Sequence, residues 1–473
     1  MKTKTLFSAL AALTIAMQGG PSIAQDGPPP VGEPKSFELP TTETYKLRNG
    51  MKVTLVPFGA VPKVTLRAVT RVGNLNDGDT PWISDLTADM LKEGADGKSA
   101  VEIATIAASM GGNVGVGVGL DQTSVAMDVL SESADEAVAL IAGIIQRPDF
   151  PEEAFDRIKT NRVRDLSVSA SQPQSIATAA FSEIMYPDHP YSKAVLPDAE
   201  EISGLTLDQL KAFHADNFGA ARTHLYVVGK FDKRSLKKAI KKNFRKWQKG
   251  SGTLELVPGD SSGPAVELID RPGAVQSTIR LGKRIPALDG TVAVSAANTM
   301  LGGYFSSRIT KNIREDKGYT YSPRSSVSAE VGAAYWNEAA DITSDSTGPA
   351  LVEIIKEIDD LVQNPPPAEE LQGVQNYMSG IYVIRLASRG GVASQLSFVN
   401  LHGLGLEYLE NYVGNVQALT PQTVHEAAKE HLDVADMSLV VVGDMASVRQ
   451  QLEAVPAFAA QLPDPEEAPA SEE

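Results

Sequence analysis

The chain has 473 residues, 42% of them hydrophobic and 22% charged, a length that suggests two or more domains, each with a sizeable core. Asp and Glu number 59 against 43 Lys and Arg, a formal charge of −16, which argues against a nucleic-acid partner whose phosphates demand basic patches. There is no Cys, so thiol catalysis and every Cys-based metal site are excluded.

The N-terminus reads as an export signal. Lys2 and Lys4 precede an apolar run from Leu6 to Met17 that is too short to span a bilayer, and Ser22-Ile23-Ala24 offers a small-x-small cleavage site. The expected signal is residues 1–24, followed by a Pro/Gly-rich leader over 25–40. No second long apolar run follows. The mature chain is therefore expected outside the cytoplasm, periplasmic or secreted, without a membrane span.

Further along, Asn49-Gly50 between alternating residues predicts a hairpin, and Val64 to Val72 alternates as a strand does. Gly94-Ala95-Asp96-Gly97-Lys98-Ser99 resembles the end of a phosphate loop, but Lys92 stands where that loop needs its first Gly. Gly111 to Gly119 alternates Val and Gly and reads as a strand rather than a dinucleotide loop. Ala134 to Ile145 has helical spacing, Leu225 to Val228 is a buried strand, and a basic helix is expected from Ser235 to Trp247. GxSxG is absent, which leaves the common serine-hydrolase elbow unsupported. His425 and His431 lie six residues apart on one predicted helix, about 240° around it, so they do not share a face and read as surface positions.

The segment 248–264 looks like a linker near the middle of the chain, and the two sides of it repeat. LTLDQLKAFHADNFGAARTHLYVVGKF begins at Leu205 and LTPQTVHEAAKEHLDVADMSLVVVGDM begins at Leu419. The same offset of 214 separates Gly229 from Gly443. The expected architecture is α+β, twice: a first domain over 41–247, the linker, a second domain over 265–455, and an acidic tail over 456–473.

At this point the sequence resembles a family, the insulinase, pitrilysin and mitochondrial processing peptidase group, whose active members are inverted zincins. The resemblance rests on NGMKVTLVP, MYPDHPYS, EISGLTLDQLKAFHADNF, LYVVGKFD, VELIDRPGAVQSTIRLG, LGGYFSSRITKNIREDKGYTYS and LVVVGDM, in order across about residues 41 to 450. It implies two tandem domains of the processing-peptidase type forming half of a clamshell. Active members carry HxxEH in the first half, with two His and a distal Glu on zinc and the motif Glu as base. The matching positions here hold Asp85, Ala88 and Asp89, and the distal position matches Asp165. No zinc is expected in this chain. The three Asp read either as solvated acids on helix faces or as ligands for a hard cation such as Ca²⁺ or Mg²⁺.

The second half keeps what the resemblance assigns to gripping peptide. Tyr304 to Asp316 is expected to be helical, with Gly318 as its stop and Tyr321 entering a strand. From spacing alone, Arg314 would be a surface cation and Tyr321 a half-buried aromatic. By resemblance, Arg314 would donate to substrate carbonyls and Tyr321 would stabilise the developing oxyanion. Gly302 and Gly303 would be either a shortened substrate-binding glycine loop or a simple turn. The resemblance thus implies a zinc-free subunit, inactive alone, whose partner is a homologous HxxEH-bearing chain with zinc, and whose substrate is an unfolded peptide. The alternative is a catalytically inert peptide-binding or structural protein of the same fold.

Overall fold

The computed structural model describes residues 38–287 and 289–464. The expected signal, most of the leader and the end of the acidic tail lie outside the described residues. Among the described residues, no helix is long and apolar enough to cross a membrane.

Two sheets organise the described chain. The first contains β1 (Glu43–Lys46), β2 (Lys52–Pro57), β3 (Lys63–Thr70), and, after a short β4–β5 hairpin (Gly94–Ala95 and Lys98–Ser99), β6 (Val114–Val118), β7 (Thr123–Leu130) and β8 (Thr223–Gly229). The second contains β9 (Val266–Asp270), β10 (Gln276–Ile285), β11 (Arg324–Val327), β12 (Ala334–Thr343) and β13 (Ser438–Gly443). The first sheet runs β1-β2-β8-β3-β7-β6 and the second, read from its other edge, β9-β13-β10-β12-β11. Apart from β1, the strand order is the same. The repeated Gly-ended strand is inserted between β2 and β3 in the first sheet and between β9 and β10 in the second, each time parallel to the earlier strand and antiparallel to the later one.

Local sequence explains the hairpins. Gly50 takes φ +98° between β1 and β2, and Lys46 faces Lys52 across the pair. The phosphate-loop lookalike is a tight turn, with Asp96 at φ +53° and Gly97 at φ +70°, both in the left-handed region that Asp and Gly tolerate.

The central strands are buried on both faces, which is why they read as continuous apolar runs. Leu225 and Val227 of β8 join the first core, beneath the Ala134–Gln146 helix. Tyr226 and Val228, on the other face, pack with Val392 and Leu396 of the Arg389–Leu401 helix. The second sheet mirrors this. Leu439 and Val441 join the second core, while Val440 and Val442 pack with Phe181 and Met185 of the Pro173–Met185 helix.

The two halves therefore exchange helices: each sheet is covered on one face by a helix from the opposite half. Linear boundaries at 247 and 265 do not convey this. Polar contacts fix the exchange. Arg389 Nη2 donates to Asp128 Oδ1 at 3.0 Å, Arg67 donates to Ser394 Oγ at 2.7 Å, and Tyr186 Oη donates to Glu330 Oε2 at 2.8 Å. At the far end, Val455 and Phe458 are fully buried in the second core, so the stretch from 456 to 458 is not a detached tail. Phe458 is the physical reason, an aromatic side chain among the acids and prolines.

Candidate functional site

The positions matched to the zinc motif sit on the Ile83–Met90 helix, entered through Trp82 at φ +63°. This helix packs against the long Glu152–Ala170 helix, which carries Arg162 and Asp165. Asp85 and Asp89 share a face one turn apart. Facing them is a guanidinium. Arg162 Nε donates to Asp89 Oδ2 at 2.7 Å, and its Nη1 lies 3.9 Å from Asp85 Oδ1. The same guanidinium stands 5.7 Å from the Trp82 ring centroid, within cation–π range. Burial works against the charge on Arg162, but Asp89, Asp85 and Asp165 outweigh it and hold its pKa above the ordinary value.

A second layer closes the cluster. Asn74 Nδ2 donates to Asp85 Oδ2 at 2.6 Å and to Asp77 Oδ2 at 3.1 Å. Asp77 also accepts from the backbone N–H groups of Trp82 (3.0 Å) and Ser84 (3.1 Å), tying the turn before the helix to its first residues. Burial pushes the Asp77 carboxyl up to about 7 and raises Asp85 as well, against the donors that favour their ionised forms.

This donor set does not fit zinc. It offers no imidazole, its base position is the buried Ala88, and a cation already stands between the two Asp. Among the described residues no group of three or more His, Cys, Asp or Glu is arranged to hold a metal ion. Asp165 does not join Asp85 and Asp89. It is largely exposed and contacts the neighbouring Arg164 at 3.4 Å. The three-carboxylate reading is thus corrected: Arg162 supplies the positive charge. Its residue type was in plain view, but a single Arg on a charged helix carries no sequence signal of its own.

Arg314 and Tyr321 are brought together. The helix bearing Arg314 begins at Arg308, not at Tyr304, which is extended (φ −149°, ψ 169°). Over Thr310–Asp316 it is π-helical. Arg308 anchors its start through a two-pronged contact with Glu370 at 2.7 Å and a third bond to Asp360 at 2.9 Å. Gly318 (φ +68°) turns the chain at the end, its N–H donating to Arg314 O. Thr320 bridges to Ile342 of β12, and Tyr321 falls in the bend before β11 rather than within a strand.

The result is an aromatic clamp on a cation. The Arg314 guanidinium carbon lies 4.7 Å from the Tyr321 ring centroid and 4.6 Å from that of Phe305. Tyr321 is 77% exposed and Phe305 59%, so both rings face solvent. Among the described residues Arg314 has no ion pair. Phe305 escaped the sequence reading because it was placed inside a helix, where it had no reason to face Arg314.

Gly302 and Gly303 form neither a loop nor a simple turn. They end a π-helical segment, Thr299–Gly303. A Cβ on Gly302 would lie 2.7 Å from Glu338 Oε2, from Ser325 N and from Ser325 Oγ. Glycine is demanded there by the close approach of β11 and β12. Glu338 behind it is fully buried, and burial pushes its carboxyl well above the usual range. Gly303 lines a cavity of about 480 Å³ with Asn298, Arg324, Tyr377, Tyr382 and Tyr408.

Two models of one family match the chain in tandem. Residues 60–199 match "Insulinase (Peptidase family M16)" and residues 204–378 match "Peptidase M16 inactive domain". The chain belongs to peptidase family M16. The non-peptidase homolog YmxG of Helicobacter pylori is 22% identical over 385 residues, 79% of this chain and 87% of that protein. An uncharacterized zinc protease of Rickettsia felis is 25% identical over 286 residues, 59% of this chain and 68% of the other. Among solved structures, a peptidase M16 inactive domain from Pseudomonas fluorescens aligns with a TM-score of 0.79 and 26% identity, over 85% of this chain and 98% of that one. A Helicobacter pylori protease aligns with a TM-score of 0.80 at 19% identity, over 86% of this chain and all of the other, which speaks to the fold alone. At the positions matched to the family's metal motif this chain carries Asp85, Ala88 and Asp89.

Proposed function

We propose that this chain is the zinc-free subunit of a two-chain M16 peptidase, exported from the cytoplasm and paired with a homologous HxxEH-bearing chain. The partner would supply the zinc and the general base. This chain would supply Arg314 and Tyr321. The observation that carries the reading is the exposed clamp of Phe305, Arg314 and Tyr321, held on an anchored helix while the motif helix is neutralised by Arg162.

The chemistry follows from the groups. Arg314 carries N–H donors that suit the carbonyl oxygens of an extended peptide. The two rings beside it restrict its motion, which lowers the entropy lost when it binds. Tyr321 offers a hydroxyl that can donate to a carbonyl oxygen as charge develops on it, and one such donor is worth about 3–4 kcal/mol. An unfolded peptide would be read mainly through its backbone.

The test is reconstitution with an HxxEH-bearing M16 chain, followed by peptide cleavage with Tyr321→Phe and Arg314→Ala. Each variant should lower kcat by roughly 10²–10³ while leaving association of the two chains intact. Unchanged cleavage by both would favour the inert, peptide-binding alternative.

A further inference from the structure

A second feature stands apart from both clusters. Nine of the 43 Lys and Arg fall between Lys233 and Lys249, a stretch that contains no Asp or Glu, in a protein of charge −16. Most of it is the Lys233–Phe244 helix. Its apolar face is already in use: Leu236, Ala239, Ile240 and Phe244 are buried in the first core.

Two of the cations, Lys233 and Lys237, pair with Glu43 of β1. Six others, Arg234, Lys238, Lys241, Lys242, Arg245 and Lys246, are exposed, and none has an ion pair among the described residues. Arg234, Lys238, Lys241 and Lys242 lie on the helix, where at 100° per residue they fall within an arc of about 100° opposite the buried face and about 12 Å long, and Arg245 and Lys246 follow in the turn at its end. The acids nearest the helix do not reach them. Glu43 meets Lys233 and Lys237, and Asp135 meets Ser235.

We propose that this face docks the protein on an anionic phospholipid surface. The six cations are strung along the helix and the turn at its end rather than converging, so they match a plane of charges better than a single phosphate. No large apolar side chain is exposed among them, since Trp247 is only 9% exposed. That disfavours a protein partner, whose interfaces need apolar or aromatic anchors and are poor in Lys. It also removes the stacking platform that single-stranded nucleic acid uses. A headgroup plane needs charge alone, and basic clusters supply it. With its apolar face committed to the core, the helix would sit on the surface without inserting, so binding should be salt-sensitive. The export expected from residues 1–24 would place the protein beside such a surface.

The full chain should sediment with phosphatidylglycerol-containing vesicles at low salt and not with pure phosphatidylcholine vesicles. Binding should vanish near about 0.5 M NaCl. Reversing four charges, Lys238→Glu, Lys241→Glu, Lys242→Glu and Lys246→Glu, should weaken it at least about 100-fold. The corresponding four Lys→Arg changes should leave it intact, and an unchanged melting temperature would show that both variants are folded. Equal sedimentation with both vesicle types, undiminished binding by the Glu variant, or tighter binding to a duplex DNA of matched charge would each overturn the assignment.

Discussion

Arg162 and Arg314 make an instructive pair. Each projects from a helix, and each lies against aromatic rings, Trp82 in one case and Phe305 with Tyr321 in the other. Arg162 is answered from within the chain, by Asp89 and Asp85. Arg314 is answered by no carboxylate among the described residues, and its rings stand open to solvent. The difference separates structure from function: a neutralised cation holds two helices together, whereas an unanswered one between exposed rings is available to a ligand.

That contrast can be broken at either end. The largest effect expected is the loss of reconstituted cleavage in Tyr321→Phe and Arg314→Ala. Next comes Arg162→Ala, which strands Asp89 and the largely buried Asp85 without a counter-charge. Urea unfolding should show a loss of about 3 kcal/mol, with the rate of reconstituted cleavage by the folded protein unchanged. A loss under about 0.5 kcal/mol would mean the pair is an ordinary surface contact.

Gly302→Ala sharpens the comparison from the second half. The new methyl must displace Glu338 or the backbone of β11, so a cost of about 2 kcal/mol is expected by thermal unfolding. If Gly302 instead served substrate alone, stability would not move.

The smallest effect concerns pH. Asp77 is raised to about 7 in the folded state from an ordinary value near 3.8. Between those limits the folded form binds more protons than the unfolded one. Its contribution to stability is therefore full below about pH 4 and is lost as pH rises toward 7. The three N–H donors facing the carboxyl favour its ionised form and already oppose this shift. Urea midpoints between pH 4.5 and 7.5 should fall in the wild type and change less in Asp77→Asn; parallel profiles would contradict the assignment.

Much of this was legible in the residues. The Asn49-Gly50 hairpin, the Val-Gly strand and the buried β8 follow from local rules of turn chemistry and period. The offset of 214 between Gly229 and Gly443 foretold two repeated α+β halves. The motif positions were also legible, because the absence of His and Glu is a fact of sequence. What stayed hidden was non-local. Nothing in Pro173–Met185 or Arg389–Leu401 says that each covers the other half's sheet. Arg162 looks like any helix cation until Asp89 is brought to 2.7 Å. Gly302 looks like a loop residue until Glu338 arrives behind it, and Phe305 gains meaning only when the chain turns at 304–307.

If this chain and a zinc-bearing relative each hold half of one site, cleavage requires both. The direct measurement is the peptide-cleavage rate of an HxxEH-bearing M16 chain titrated with this one. Negligible cleavage is expected from either chain alone, with a rate that rises to a plateau at equal amounts. Cleavage by the partner that is unaffected by any amount of this chain would contradict it.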